Sequence, residues 1–82
     1  MVDEEEVLGV LAEATGLERG ELGTEWSLLD LGLTSFRIMQ ALMELEERFG
    51  IEFSEDEVVK FPTVPTSALP RFVRERIAGS SG

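Results

Sequence analysis

Two adjacent hydroxyl residues, Thr34 and Ser35, stand where a leucine-rich segment gives way to an apparent amphipathic helix, in the sequence LGLTSFRIMQ of residues 31–40. A hydroxyl just before a helix can cap it by accepting a hydrogen bond from a first-turn N–H. One hydroxyl is enough for that task. Either Ser35 is the cap and Thr34 is a loop residue, or Thr34 is the cap and Ser35 offers a free side-chain oxygen.

The composition argues against catalysis by the chain itself. It contains no His, Cys or Tyr, so the usual general bases near neutral pH and the soft ligands of zinc sites are missing. Ser35 has no base to activate it as a catalytic nucleophile. Carboxylate pairs such as Glu44 and Glu47 fall on a face that should be solvated, and no calcium-loop motif occurs. We therefore expect a non-enzymatic protein without a metal.

The net charge limits the partners. A formal charge of −10 at pH 7 disfavours nucleic acid and anionic membranes, and favours basic protein surfaces. The alternative is that the acidity serves only solubility. The N-terminal MVDEEEVLGV lacks the basic region of a signal peptide, and no segment approaches the ~20 apolar residues of a membrane span. We expect a cytoplasmic monomer.

The spacing of apolar residues predicts an all-α fold, a four-helix bundle with three main helices, a short third helix and a long first loop. The first helix should span residues 3–15 and the second residues 35–49, each followed by a glycine, Gly16 or Gly50, that can end it. The residues expected on the inward faces are Val7, Val10, Leu11 and Ala14, with Leu8 at the margin, and Ile38, Ala41, Leu42, Leu45 and Phe49, flanked by Met39.

Capping residues and prolines predict the other two helices. Ser54 should open a short helix that runs to about Lys60 and that Pro62 ends, because the residue before a proline avoids helical geometry. The last helix should start at a Ser67 cap, which places Pro70 in the first turn. Its inward residues should be Leu69, Phe72, Val73 and Ile77. We assign residues 1–78 to one domain and residues 79–82 to a flexible tail with the composition of a linker or expression remnant.

The long first loop covers residues 16–34. Connections of this length usually carry function or pack back on the core. The loop is rich in large apolar residues, and we expect these to hold it against the bundle: Trp26, Leu28, Leu29, Leu31 and Leu33.

Phe36 and Met43 lie outside the inward stripe of the second helix, one heptad apart. Singly exposed apolar residues are common, but an aligned pair beside Ser35 favours a docking surface. The polar side of the same helix carries Arg37, Gln40, Glu44 and Glu47.

The segment from Leu28 to Val64, LLDLGLTSFRIMQALMELEERFGIEFSEDEVVKFPTV, resembles the carrier-protein family of acyl carrier and peptidyl carrier domains. In that family the modified serine begins the second helix, usually within L-G-x-D-S-L, and LGLTSF of residues 31–36 occupies that place. LEERFGIEF resembles the acidic helix end and glycine turn of the family, and FPTV resembles the start of its final helix. The order of these motifs matches the predicted helices.

The resemblance implies that Ser35 carries a 4′-phosphopantetheine group donated by coenzyme A, with Thr34 as the helix cap beside it. The thiol of that arm would hold an acyl or aminoacyl group as a thioester. Implied partners are a phosphopantetheinyl transferase, an acyl- or aminoacyl-loading (adenylating) enzyme, and downstream synthase or transferase enzymes. The residues expected to contact them are Phe36, Arg37, Gln40, Met43, Glu44 and Glu47.

The chain departs from the family pattern at several positions. Thr34 stands where Asp is common, at the position associated with the metal-containing site of the transferase. Phe36 replaces a usual Leu, and Arg37 and Gln40 replace acids. These departures favour a specialised natural-product pathway, polyketide or nonribosomal peptide, over a housekeeping fatty-acid carrier. The remaining alternative is an unmodified acidic helical interaction module.

Overall fold

Four α-helices make up the protein in the computed structural model, which describes residues 3–80. They are α1 (Glu4–Thr15), α2 (Ser35–Phe49), α3 (Glu55–Lys60) and α4 (Leu69–Ser80). Three short 3-10 turns lie in the connections, at Arg19–Glu21, Phe61–Thr63 and Thr66–Ala68. No β-strand forms within residues 3–80. The predicted all-α four-helix bundle with a short third helix and a long first loop is confirmed.

The ends of α1 and α2 follow local sequence. The Asp3 carboxylate accepts a hydrogen bond from the Glu6 N–H at 2.8 Å, so Asp3 is the cap and α1 begins one residue later. Gly16 and Gly50 follow the two helices in the left-handed conformation (φ 78° and 64°), which glycine adopts without a steric cost. The predicted limits of both helices are therefore correct to within one residue.

The core lies where α1 packs against α2 and α4. Its side chains are supplied by the stripes predicted from helical spacing and by the segments that flank α3. Leu8, expected at the margin of α1, is fully buried, as is Leu28 of the first loop. Three rings, Phe53, Phe61 and Phe72, join the two ends of α3 to α4, with centroids 5.4 Å apart for Phe53 and Phe72.

The predicted short helix from a Ser54 cap to Lys60 is confirmed, but two expectations about the residues near the prolines are wrong. Phe61 precedes Pro62 yet keeps right-handed helical geometry (φ −47°, ψ −47°), and the chain continues as a 3-10 turn. Burial of the Phe61 ring, which is 0% exposed, outweighs the local preference of a pre-proline residue. Ser67 is not the residue before α4, because it lies within the 3-10 turn Thr66–Ala68 and α4 starts at Leu69.

Pro70 does fall in the first turn of α4, as predicted. At its other end α4 reaches Ser80, two residues into the segment assigned to the tail. Residues 81 and 82 lie outside the described residues.

The first loop is not held down by all of its large apolar side chains. Leu28 is buried and Leu31 and Leu33 are half-buried, but Trp26 is 54% and Leu29 50% exposed. The expectation that these last two pack on the core is therefore wrong. Their backbone is fixed by hydrogen bonds instead, and the side chains are left facing water.

The hydrogen bonds that hold the loop around Thr24 and Trp26 centre on Thr66, whose side chain is fully buried. Its hydroxyl accepts from the Thr24 N–H at 3.0 Å and donates to the Thr24 carbonyl at 3.2 Å. The Thr66 N–H donates to the Trp26 carbonyl at 2.9 Å, and Ser27 bridges to Pro65 alongside. One buried threonine thus ties the loop to the start of α4.

A second tie joins α3 to α4. Glu57 accepts a hydrogen bond from the Ser54 N–H at 2.7 Å in the capping box of α3, and the same oxygen lies 3.0 Å from the Arg76 guanidinium. Desolvation alone would raise the pKa of Glu57, but the hydrogen bonds from Ser54 and the charge of Arg76 outweigh it and lower the pKa below its ordinary value.

We predict that Thr66→Val destabilises the fold by about 1–3 kcal/mol, because it keeps the side-chain shape but leaves the Thr24 N–H without its acceptor. The measurement is the free energy of unfolding in urea. Ser67→Ala is the control, since this neighbouring hydroxyl is exposed, and it should change stability by less than about 0.5 kcal/mol. Equal losses for the two variants would contradict the role given to Thr66.

We predict that Glu57→Gln lowers the free energy of unfolding by about 0.5–1 kcal/mol at neutral pH. Because the folded pKa of Glu57 lies below its ordinary value of 4.5, the stability from its charged form is present above that value and is lost as pH falls through the folded pKa. The gap between wild type and variant should therefore close in acid. Glu52→Gln removes the same charge from an exposed side chain and should not reproduce this pattern.

Candidate functional site

The start of α2 separates the two adjacent hydroxyls. Thr34 has extended backbone geometry (φ −74°, ψ 158°), and its hydroxyl accepts a hydrogen bond from the Arg37 N–H at 3.2 Å. Thr34 is therefore the N-cap. Ser35 becomes the first helical residue, and its hydroxyl is not needed to satisfy the helix.

The Ser35 side chain is exposed and forms no hydrogen bond with any group in residues 3–80. Its own N–H and that of Phe36 belong to the first turn, where backbone donors have no partner within the helix. The first turn of α2 holds no acidic residue, whereas α1 and α3 each hold three. A nucleophilic oxygen thus lies at a positive helix end that an anionic phosphate can approach.

A compact turn delivers Thr34 to this position. The Ser27 N–H donates to the Asp30 carboxylate and the Asp30 N–H to the Ser27 hydroxyl, both at 3.1 Å. The Gly32 N–H donates to the Leu29 carbonyl at 3.0 Å, with Gly32 in a left-handed conformation (φ 85°) that favours glycine. These bonds fix the backbone immediately before the cap.

An apolar cleft of about 230 Å³ opens beside Ser35. Its lining comes from the first loop, from α2 and from the turn after α3, and consists of Leu29, Ser35, Ile38, Met39 and Pro62. The Leu29 N–H donates to the Pro62 carbonyl at 3.2 Å, which joins two of the walls. The sequence gives no indication of this cleft, because Leu29 and Pro62 pair across 33 residues that carry no local signal of it.

The structure places Phe36 and Met43 on the exposed surface of α2, 73% and 59% accessible. Gln40 and Glu47 are also exposed. Glu44 lies 3.9 Å from Arg48, whose guanidinium also contacts Glu13 at 3.6 Å. Glu47 forms no ion pair within residues 3–80, so of the two predicted acids it is the one left available to a partner.

The Arg37 side chain lies near Gly16, the residue that follows α1. One of its guanidinium nitrogens lies 3.7 Å from where a Cβ on Gly16 would stand, which puts the cation beside the C-terminal end of α1. Cations are favourable at that end of a helix. The structure therefore gives Arg37 a local role between α1 and α2, which helical spacing could not indicate.

All the large apolar side chains that residues 3–80 expose fall between positions 26 and 59, and none lies on α1 or α4. They are Trp26, Leu29, Phe36, Met39, Met43 and Val59. Helical spacing predicts the exposure of Phe36 and Met43. It does not predict the exposure of Trp26, Leu29 and Val59. The exposed apolar surface is thus concentrated on the elements around Ser35.

Within residues 3–80, no group of three or more His, Cys, Asp or Glu residues could hold a metal ion. Among the same residues no helix has the length and apolar character needed to cross a bilayer. A second cavity, of about 330 Å³, lies between the starts of α1 and α4 and is lined by Glu4, Ser67, Ala68, Pro70, Arg71 and Arg74.

Comparison with known proteins agrees with this geometry. The family model for the phosphopantetheine attachment site matches residues 5–66. The non-reducing polyketide synthase dbaI from Emericella nidulans is 32% identical over 75 residues, which cover 92% of this chain but only 3% of that synthase. The family model covers most of α1, the first loop, α2, α3 and the turn that contains Pro62. The chain belongs to the family of phosphopantetheine-attachment domains, carrier domains that hold 4′-phosphopantetheine covalently.

Proposed function

We propose that the protein carries acyl intermediates of polyketide biosynthesis as thioesters on a 4′-phosphopantetheine arm attached to Ser35. The observation that supports this most directly is the free Ser35 hydroxyl at the start of α2, left unbonded because Thr34 supplies the cap. When attached, the arm supplies a terminal thiol that bears the acyl group.

Attachment requires a separate transferase. The Ser35 oxygen forms a bond to the phosphorus next to the pantetheine, the phosphoanhydride of coenzyme A breaks, and adenosine 3′,5′-bisphosphate leaves. The Ser35 proton goes to a base on the transferase, because no group within residues 3–80 is hydrogen-bonded to the Ser35 hydroxyl. The free N–H groups of the first turn of α2 stabilise the charge of the phosphodiester that results.

The pathway is inferred from the relative. That relative is named as a polyketide synthase, and this chain spans only 3% of its length, as a single small domain of it would. The expected partners are a phosphopantetheinyl transferase, a loading enzyme and synthase enzymes that extend or release the chain. A polyketide carrier agrees better with this match than a peptidyl or housekeeping fatty-acid carrier. Within that pathway the chain itself catalyses no step.

The partner-binding surface is the exposed side of α2. Phe36 and Met43 supply apolar contact area next to Ser35, and Gln40 and Glu47 supply polar contacts along the same line. Aromatic side chains frequently dominate interface energies, whereas exposed charges mainly steer association. Glu44 and Arg37 are engaged with Arg48 and with the end of α1, and contribute to the shape of the surface more than to its free charge.

We predict that incubation with coenzyme A and a permissive phosphopantetheinyl transferase increases the intact mass by one phosphopantetheinyl unit, and that Ser35→Ala abolishes the gain. The reason is that Ser35 provides the accepting oxygen. Ser67→Ala is the matched control, since it removes another exposed serine hydroxyl close to a helix start, and it should be modified fully. A mass gain that survives in Ser35→Ala would refute the assignment.

We predict that Phe36→Ala weakens binding of the unmodified protein to the same transferase by about 2 kcal/mol, which is roughly 30-fold in Kd. Titration calorimetry or surface plasmon resonance would measure it. Val59→Ala is the control, because Val59 is 71% exposed against 73% for Phe36 but lies on α3. If both variants lose affinity equally, exposed apolar area in general is responsible, and Phe36 is not a specific anchor.

A further inference from the structure

The apolar cleft beside Ser35 has no role in the attachment step or in the proposed partner surface. Its walls belong to three separate elements, and Leu29 and Met39 line it while remaining partly exposed to water. A hydrogen bond between Leu29 and Pro62 holds two of those walls at a fixed distance. Such an open apolar surface next to the proposed attachment residue is suited to receive part of the group attached there.

The size of the cleft restricts its occupant. A cavity of roughly 150 Å³ can hold benzene, and drug-sized ligands occupy pockets of about 300–1,000 Å³. At about 230 Å³ the cleft has room for a small branched or ring-shaped group and is smaller than a pocket for a drug-sized ligand. Beyond it the interior is closed, since Ile38 in the lining is 1% exposed and Leu42, one turn further along α2, is 2% exposed.

We propose that the cleft seats the gem-dimethyl segment of the phosphopantetheine arm and leaves the thiol with its cargo in solvent; this inference rests on the proposed attachment at Ser35. The gem-dimethyl carbon is the first apolar group beyond the phosphate, so it lies nearest to Ser35. The remainder of the arm contains two amides, whose hydrogen bonds an apolar cleft would leave unsatisfied. Position, size and polarity all select the same segment.

A functional consequence concerns cargo choice. If only the attached end of the arm contacts the protein, the carrier distinguishes little between acyl groups, and selection is made by the enzymes that load and unload it. A single small apolar group contributes little binding free energy. A partner enzyme can therefore remove the arm from the cleft at a small cost in free energy.

The test compares unmodified and modified protein carrying 13C-labelled methionine methyl groups, after intact mass has shown complete conversion. Met39 lines the cleft and Met43 lies on the same helix outside it, so the two methyl signals report side by side. We expect the Met39 signal to shift several times more than the Met43 signal on modification. We also expect nuclear Overhauser contacts from the gem-dimethyl protons to the Met39 and Leu29 methyl groups.

Two further measurements distinguish contacts made by the arm from contacts made by the cargo. The thiol of the modified protein should react with a soluble aromatic disulfide at the rate of free pantetheine, because it stays in solvent. Leu29→Ser should remove the gem-dimethyl contacts while modification remains complete, and Val59→Ser, which alters an exposed apolar residue outside the cleft, should keep them.

Three outcomes would overturn the seat. Complete modification with equal Met39 and Met43 shifts would contradict binding of the gem-dimethyl segment in the cleft, while the proposed function would still hold. A Met39 response only after the thiol is loaded with a hexanoyl group would make the cleft a cargo site instead. If no mass gain occurs, both the attachment at Ser35 and the binding of the arm in the cleft are contradicted.

Discussion

The hydrogen bond from the Arg37 N–H to the Thr34 hydroxyl determines what the rest of the site can do. A helix start leaves N–H groups that need an acceptor, and the residue supplying it is committed to that role. Because Thr34 takes this role, Ser35 moves one position into the helix with its oxygen exposed. If Ser35 were the cap, its oxygen would be held against the backbone and would be a poorer nucleophile for group transfer.

The chemical nature of the cap also affects the electrostatics. The chain carries a net charge of −10, and its other two capped α-helices concentrate acids in their first turns. Acids at those positions stabilise a helix by pairing with its dipole. The first turn of α2 omits them, and the neutral Thr34 adds no charge. The protein therefore places no negative charge at the positive end of α2, and a phosphodiester at Ser35 would supply that charge.

How far the sequence predicts this structure depends on whether the determinants are local. The limits of α1 and α2 follow from caps and glycines within a few residues, and their inward faces follow from helical periodicity. Local patterns do not predict the exposure of Trp26 and Leu29, the helical geometry of Phe61 or the cleft. Each of these features is decided by contacts between the first loop and the residues around α3 and α4. The buried Thr66 hydroxyl is the clearest case: nothing in TVPTSAL distinguishes it from its neighbours, yet it bonds to Thr24, 42 residues away. The position of Ser35 at the start of α2 can be predicted from the sequence around it. The shape of the surface beside Ser35 can be seen only in the folded structure.

A carrier that visits several enzymes has to bind quickly and release quickly, and the surface around Ser35 is consistent with both demands. Charge affects mainly the association rate, and fully desolvated apolar contacts affect mainly the dissociation rate. Arg48 lies between Glu13 and Glu44 and offsets part of the acidity near α2. Long-range attraction therefore comes from the overall charge and from unpaired residues such as Glu47. The apolar contribution within residues 3–80 is confined to six exposed side chains on the first loop, α2 and α3. Because so few side chains carry it, the apolar area that a partner could desolvate there is limited, which favours rapid dissociation.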